Sequence, residues 1–335
     1  MKRALVAISA ALVLALSVPT SAAAAGGFAG TGDIYTETTG IVDPETGARY
    51  FALQGGHGTD LIRVDPEAAP DSPALEKARL RDRNLTIPAA AFDGTTTGLS
   101  ADGRTLVLAD PYVVPGQAST RMALVDTKRL RVEEAIRLPG AFAFDAISPD
   151  GSQLYLIRYP NPNDPLDYEV RAWDVERGRL LPDPIVDPRE PDEEMRGNPM
   201  TRVVSPDGAW VLTLYDGAGK EPFVHALNTA EGTAFCVDLD MLSARTVHRD
   251  DLEPAADWSS VAVVDRNGAE VASISTDTWT ATVSDAPAAD SGSDLDWWWL
   301  LGGALVAAAA AILILRRLHG GAQPGAGSAG DPANP

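Results

Sequence analysis

The chain of 335 residues contains one cysteine, Cys236. With no second cysteine there is no intramolecular disulfide, and a metal site built from several thiolates is excluded. Its setting, Ala234-Phe235-Cys236-Val237-Asp238, reads as a small buried side chain, with a reactive thiol or an intermolecular bridge as the alternatives. Also missing are the Gly-x-Ser-x-Gly nucleophile turn, the His-Glu-x-x-His pair and the phosphate loop, so no catalytic residue is assigned and no cofactor or metal is expected. Asp192-Glu193-Glu194 lacks the spaced oxygen ligands of a Ca²⁺ loop and reads as a solvated charge run. Positive charge is scarce, with 27 Lys and Arg against 47 Asp and Glu and a net charge of −20. Setting aside Lys2, Arg3, Arg316, Arg317 and Asp331 leaves 46 acidic against 23 basic residues. Such a surface repels nucleic acid and anionic headgroups; it suits a basic partner, and it equally serves solubility outside the cell. Helical periodicity is nearly absent. Only Ser72 to Arg83 reads as a helix, through Leu75, Ala78 and Arg79 with charges around them.

Two long apolar runs stand out against this background. Residues 1–25 have the layout of a secretory signal: basic Lys2 and Arg3, an apolar stretch from Ala4 to Val18, a break at Pro19-Thr20-Ser21, and small residues Ala23-Ala24-Ala25 for cleavage. The second run, Trp297 to Leu315, carries no charge. As a helix it covers roughly 28 Å, close to a hydrocarbon core of about 30 Å. Trp297, Trp298 and Trp299 fall where an interfacial aromatic belt belongs, and Arg316 and Arg317 close the other end, on the cytoplasmic side by the positive-inside rule. The expected organisation is a signal peptide (1–25), an extracellular domain (26–284), a small, acidic stalk (285–296), a transmembrane helix (297–315) and a disordered cytoplasmic tail (316–335) in a single-pass protein of the cell membrane. Forty-five per cent apolar residues suffice for a full core in the extracellular part.

That part repeats itself. Gly98-Leu99-Ser100-Ala101-Asp102-Gly103, Ala146-Ile147-Ser148-Pro149-Asp150-Gly151 and Val203-Val204-Ser205-Pro206-Asp207-Gly208 each precede an apolar strand. In each turn Asp closes onto nearby backbone amides and Gly takes the positive φ. Five units of four short strands follow. The first runs Thr38 to Val42, Arg49 to Gln54, Asp60 to Asp65 and Asn84 to Pro88; the second Thr97 to Ser100, Thr105 to Ala109, Met122 to Asp126 and Val132 to Leu138. The third takes Phe144 to Ser148, Gln153 to Arg158, Glu169 to Asp174 and Leu180 to Val186; the fourth Thr201 to Ser205, Trp210 to Tyr215, Phe223 to Leu227 and Thr233 to Asp238. The fifth, degenerate, takes Arg245 to His248, Ser260 to Val264, Glu270 to Ser275 and Trp279 to Val283. Third strands end in a recurring Asp or Asn turn at Asp126, Asp174 and Asn228. A strand-turn-strand recurring every 40 to 60 residues or so is the mark of a repeat architecture. The predicted fold is all-β, a β-propeller of about five four-stranded blades closed into one ring, with a β-sandwich of similar strand number as the alternative.

These features together, Ser-Pro-Asp-Gly before an apolar strand, a strand ending in Val-Asp or Trp-Asp, and the return Ile136 to Gly140, resemble the YVTN and WD40-like β-propeller repeats of bacterial surface proteins. The resemblance covers units two to four well and units one and five poorly. It implies a binding face made by the loops between second and third strands and between blades, with the Ser-Pro-Asp-Gly turns on the other face, so Asp102, Asp150 and Asp207 are expected to form turns. The candidate binding residues are then His57 in Gly55-Gly56-His57-Gly58, Tyr112, Val113 and Val114, Asn161 and Asn163, and Lys220 and Glu221. His225 and His248 fall in predicted strands as structural groups. The expected partners are the bilayer, through the one span, and a protein or cell-envelope component. Non-catalytic binding is the leading reading; a lactonase-like hydrolase centred on His57 and a sensor subunit of a membrane complex are the alternatives.

Overall fold

The computed structural model describes residues 40–55, 58–65, 74–81, 84–192, 194–242 and 247–283. Its strands form five antiparallel meanders in chain order. The first sheet contains β1 (Ile41–Val42), β2 (Arg49–Gly55), β3 (Gly58–Asp65) and β4 (Ala74–Arg81). The second has three strands, β5 (Thr105–Ala109), β6 (Ser119–Asp126) and β7 (Arg131–Pro139). β8 (Phe142–Ile147), β9 (Gln153–Arg158), β10 (Glu169–Asp174) and β11 (Arg179–Ile185) make the third, and β12 (Pro199–Val204), β13 (Trp210–Tyr215), β14 (Phe223–Asn228) and β15 (Thr233–Asp238) the fourth. The fifth is β16 (Asp251–Pro254), β17 (Ser260–Val264), β18 (Glu270–Ser275) and β19 (Thr280–Val283).

The repeated turns set this register. In each, the Ser hydroxyl donates to the Asp carboxylate, at 2.6 Å for Ser100 and Asp102, 2.8 Å for Ser148 and Asp150, and 2.6 Å for Ser205 and Asp207. The same carboxylate oxygen accepts the amide two residues on. The glycines that follow have φ of +67°, +75° and +70° at Gly103, Gly151 and Gly208, a region closed to most side chains. At the other turn of the sheets, Asp126, Asp174 and Asn228 accept the amides of Arg129, Arg177 and Glu231. The three Asp residues of the repeats are therefore turn formers.

Four apolar cores lie between successive sheets. Leu61, Leu85, Leu106 and Leu108 join the first to the second; Val107, Met122, Phe144 and Leu156 the second to the third. Tyr155, Val170, Tyr215 and Phe223 join the third to the fourth; Leu212, Leu214, Val261 and Ile274 the fourth to the fifth. Each fully buried Leu contributes roughly 2 kcal/mol. Among the described residues no core cluster joins the fifth sheet to the first. In the third sheet β8 is buried along its length while most of β11 faces solvent, so there the first strand lies inward and the fourth outward, as in a propeller blade.

Four expectations are corrected. The segment read as a helix is β4, paired along its whole length with β3. Its true period is two: Leu80 is buried, while Lys77 and Arg79 both reach Asp60, at 2.9 and 2.6 Å. Asn84 to Pro88 is not the fourth strand of the first sheet but runs beside β5, where Thr86 and Ala109 exchange amide and carbonyl. Thr97 to Ser100 contributes one isolated bridge, Leu99 to Leu106, so the second sheet keeps three strands. The first strand of the fifth sheet is Asp251–Pro254; of the stretch from 245 to 248 only Val247 and His248 are described, and they lie in a loop. No helix among the described residues is long and apolar enough to cross a membrane. The signal, stalk, span and tail, with Trp297, Trp298, Trp299, Arg316 and Arg317, lie outside those residues.

Candidate functional site

One end of the sheets gathers the loops expected to bind. Gly116 of the second sheet lies against Pro162 of the third, Arg196 donates to Asp164 at 2.8 Å, and Asn198 donates twice to Asp216. His248 approaches the same Asp216 carboxylate at 3.5 Å. Burial pushes the Asp216 pKa up, but the hydrogen bonds from His248, Asn198 and the Ala218 amide outweigh it and bring it down to about 2. His248 thus sits in a loop against a carboxylate and not in a strand.

The loop after β5 presents a small knuckle. Tyr112 and Val114 are 45% and 54% exposed, whereas Val113 between them is 2% exposed and belongs to the core between the third and fourth sheets. Val113 is therefore an anchor and not a contact residue. The loop is tied by Gln117, whose side-chain oxygen accepts the Val114 amide at 2.9 Å and whose side-chain nitrogen donates to Thr120 at 2.6 Å. Asn161 accepts the Asn163 amide at 3.0 Å; Asn163, Lys220 and Glu221 face solvent. The structure brings Tyr112, Val114, Asn161, Asn163, Lys220 and Glu221 to one end of the molecule. His57 lies outside the described residues; beside it, Gly58 has no room for a side chain, since a Cβ would meet the Leu80 carbonyl at 2.1 Å.

Behind these loops, residues 88–97 form a hairpin. Thr97 donates to Pro88, Phe92 and Asp93 donate to Pro199 and Met200 of β12, and Thr96 donates to Gly40 beside the first sheet. Next to it is a cavity of about 60 Å³ lined by Ala89, Ala90, Asp145, Tyr159, Tyr168, Arg202 and Tyr215. Arg202 donates to both the carbonyl and the carboxylate of Asp145 and to Thr213, joining the inner strands of the third and fourth sheets through an ion pair 2% and 3% exposed. Burial pushes the Tyr159, Tyr168 and Tyr215 hydroxyls above their usual range. A space this size holds about two waters, whereas small-molecule sites occupy roughly 300–1,000 Å³. With its one cation and one carboxylate spent on each other, the cavity offers neither room nor a free charged group to a substrate. Deeper in the same seam His225 is buried, its Nε2 without a hydrogen bond, and burial brings its pKa down to about 4.

Sequence reasoning missed a larger groove at the opposite end, between the fourth and fifth sheets, with a volume of about 550 Å³. Its signal was present: Ala255-Ala256-Asp257-Trp258 occupies the place of Ser205-Pro206-Asp207-Gly208, with Trp where the repeat has Gly. Among the described residues no group of His, Cys, Asp and Glu is arranged to hold a metal.

No family model matches the sequence, and no curated protein matches it. Similar solved structures include the hydrazine synthase of Kuenenia stuttgartiensis, at 16% identity over 84% of this chain and 62% of that one, TM-score 0.39. TolB from Acinetobacter baumannii is 14% identical over 70% of this chain and 52% of its own, TM-score 0.37. The Cps50 (Swd1) β-propeller domain of Myceliophteria thermophila is 12% identical over 77% and 68%, TM-score 0.41. The chain thus spans less than two thirds of the first two structures. At these identities the similarity concerns fold alone.

Proposed function

We propose that this chain is a membrane-anchored, extracytoplasmic propeller module that binds a protein or cell-envelope component and carries out no chemistry. The observation that carries the reading is the knuckle at Tyr112 and Val114. Two apolar side chains stand in solvent on a loop held by Gln117 and by the buried Val113. The Gln117 bonds and buried Val113 already restrain the loop backbone, so less entropy is lost on contact, and exposed aromatics on loops carried by a rigid scaffold are good interface anchors. The apolar runs at 4–18 and 297–315 supply export and anchoring, with the propeller outside and Arg316 and Arg317 inside.

The test is a crosslinking pull-down of the full chain from its native cells, compared with a version carrying Tyr112→Ser and Val114→Ser. A stoichiometric partner captured by the natural chain and lost from the double variant, at unchanged thermal stability, supports the reading. Equal capture by both, or no partner with either, overturns it.

A further inference from the structure

The groove between the fourth and fifth sheets departs from the repeat in a consistent way. In the first turn of the fourth sheet, the Gly208 amide donates to Ser205 and the Ser205 amide to Trp210. The same two bonds recur in the fifth sheet, from Trp258 to Ala255 and from Ala255 to Ser260. Trp258 therefore stands at the glycine position, at φ +58°. The second turn repeats the substitution. Gly232 donates to Asn228 in the fourth sheet and Trp279 to Ser275 in the fifth, at φ of +70° and +52°. A large aromatic residue in this region is a genuine outlier, and here two of them border one groove.

Around them the lining combines aromatic rings with carboxylates. Trp210 and Trp279 lie 4.4 Å apart by ring centroid, and Trp279 stacks on Phe235 at 5.5 Å. The stack already carries a cation: the Arg189 guanidinium lies 5.0 Å from the Phe235 centroid. Asp207, Asp257 and Asp277 complete the lining, which contains no basic residue. Hydrogen bonds from Ser205 and the Ala209 amide hold the Asp207 pKa below the usual carboxylate range, and Ser259 does the same for Asp257, so both are ionised at neutral pH. The volume of about 550 Å³ falls within the range of ligand sites. Aromatic faces attract cations and stack on guanidinium, and three carboxylates reinforce that choice over a neutral ligand.

We propose that this groove, lined by Trp210, Trp258, Trp279, Asp207, Asp257 and Asp277, binds an organic cation: a guanidinium or alkylammonium group, free or on a basic peptide segment. It lies at the opposite end from the Tyr112 knuckle and does not depend on that surface. The half-buried Trp210 and Trp258 offer the aromatic surface, Trp279 backs Trp210 from the core, and the carboxylates select for charge.

The test is titration calorimetry on the full chain in detergent at low salt. The probes are acetyl-arginine-amide, tetramethylammonium, a peptide with two arginines, and the neutral sugar chitotriose. Saturable binding of the cations is expected, weakened by 0.5 M salt, with no binding of chitotriose. Trp258→Ala should weaken the arginine probe about tenfold. Asp257→Asn and Asp277→Asn should each weaken it about threefold; Asn keeps the acceptor on which the Asp257 turn depends, so folding is retained. Tighter binding of the peptide than of tetramethylammonium identifies a peptide source, and the reverse a free small cation; both support the proposal. Absent cation binding, chitotriose binding in its place, or Asn variants that bind like the natural chain overturn it. A Tyr112 and Val114 double variant should bind the cations unchanged, so this site and the knuckle fail or succeed separately.

Discussion

His225 makes acid a specific threat to this fold. It lies on β14 between Thr213 of β13 and Cys236 of β15, facing the third sheet. Burial lowers its pKa to about 4 from 6.5; Asp145 and Asp187 pull it up and Arg202 pushes it down. The folded chain therefore keeps the imidazole neutral, while the unfolded chain takes up a proton near pH 6.5. The native state is favoured fully above 6.5, and the advantage drains away as pH falls toward 4. Each pKa unit is worth about 1.4 kcal/mol, so the whole interval carries about 3 kcal/mol, of which about 2 kcal/mol is lost between pH 7.5 and 5. Urea unfolding at those two pH values measures it. His225→Gln cannot titrate, and it should lose about 2 kcal/mol less than the natural chain over the same interval. Equal losses in both proteins would refute the assignment of acid sensitivity to this side chain.

Two further outcomes follow from the turns and the inner strands. Arg202→Met leaves the Asp145 carboxylate buried without its partner and should cost about 3–5 kcal/mol, most of which Asp145→Leu in the same chain should restore, by urea unfolding of single and double variants. Gly208→Ala should cost about 2–3 kcal/mol, because its Cβ meets the Ala101 Cβ at 2.7 Å at φ +70°; Gly178→Ala, at φ +59° with open space around it, should cost only about 1 kcal/mol. Equal melting temperatures for the two variants would remove the crowding argument.

The sheets legible in the sequence are those whose turns carry their own punctuation. Gln153 to Arg158, Glu169 to Asp174, Trp210 to Tyr215 and Thr233 to Asp238 coincide with observed strands, because a Ser-x-Asp-Gly turn or an Asx turn adjoins nearly every one. The first sheet was obscured where punctuation fails. Ala74 to Arg81 has Leu75 and Ala78 at helical spacing, and only tertiary burial of Leu80 and the shared Asp60 reveal the period of two. The hairpin at 88–97 was hidden for another reason: its bonds run to residues more than 100 positions away, such as Pro199 and Met200, which no local pattern encodes. Of the site, the loop end was readable from blade geometry, but burial separated Val113 from its two exposed neighbours. The aromatic groove went unread because degenerate repeats are aligned by what they share, and the groove is built from what the fifth unit replaced.

The four seams between consecutive sheets also set an order of opening. Among the described residues each core is shared by two neighbours, so the second, third and fourth sheets are held on both sides and the first and fifth on one, with the hairpin at 88–97 tied to β12 and to Gly40. Where stability is a sum of neighbour interfaces, a sheet with one such core opens before a sheet with two. The fourth-to-fifth seam, where the tryptophans stand at glycine positions, is one of the first to part. A cation seated there acts as a latch: by mass action it stabilises the closed seam and delays loss of the last sheet, so occupancy of the groove is legible as slowed amide exchange in β17 and β18.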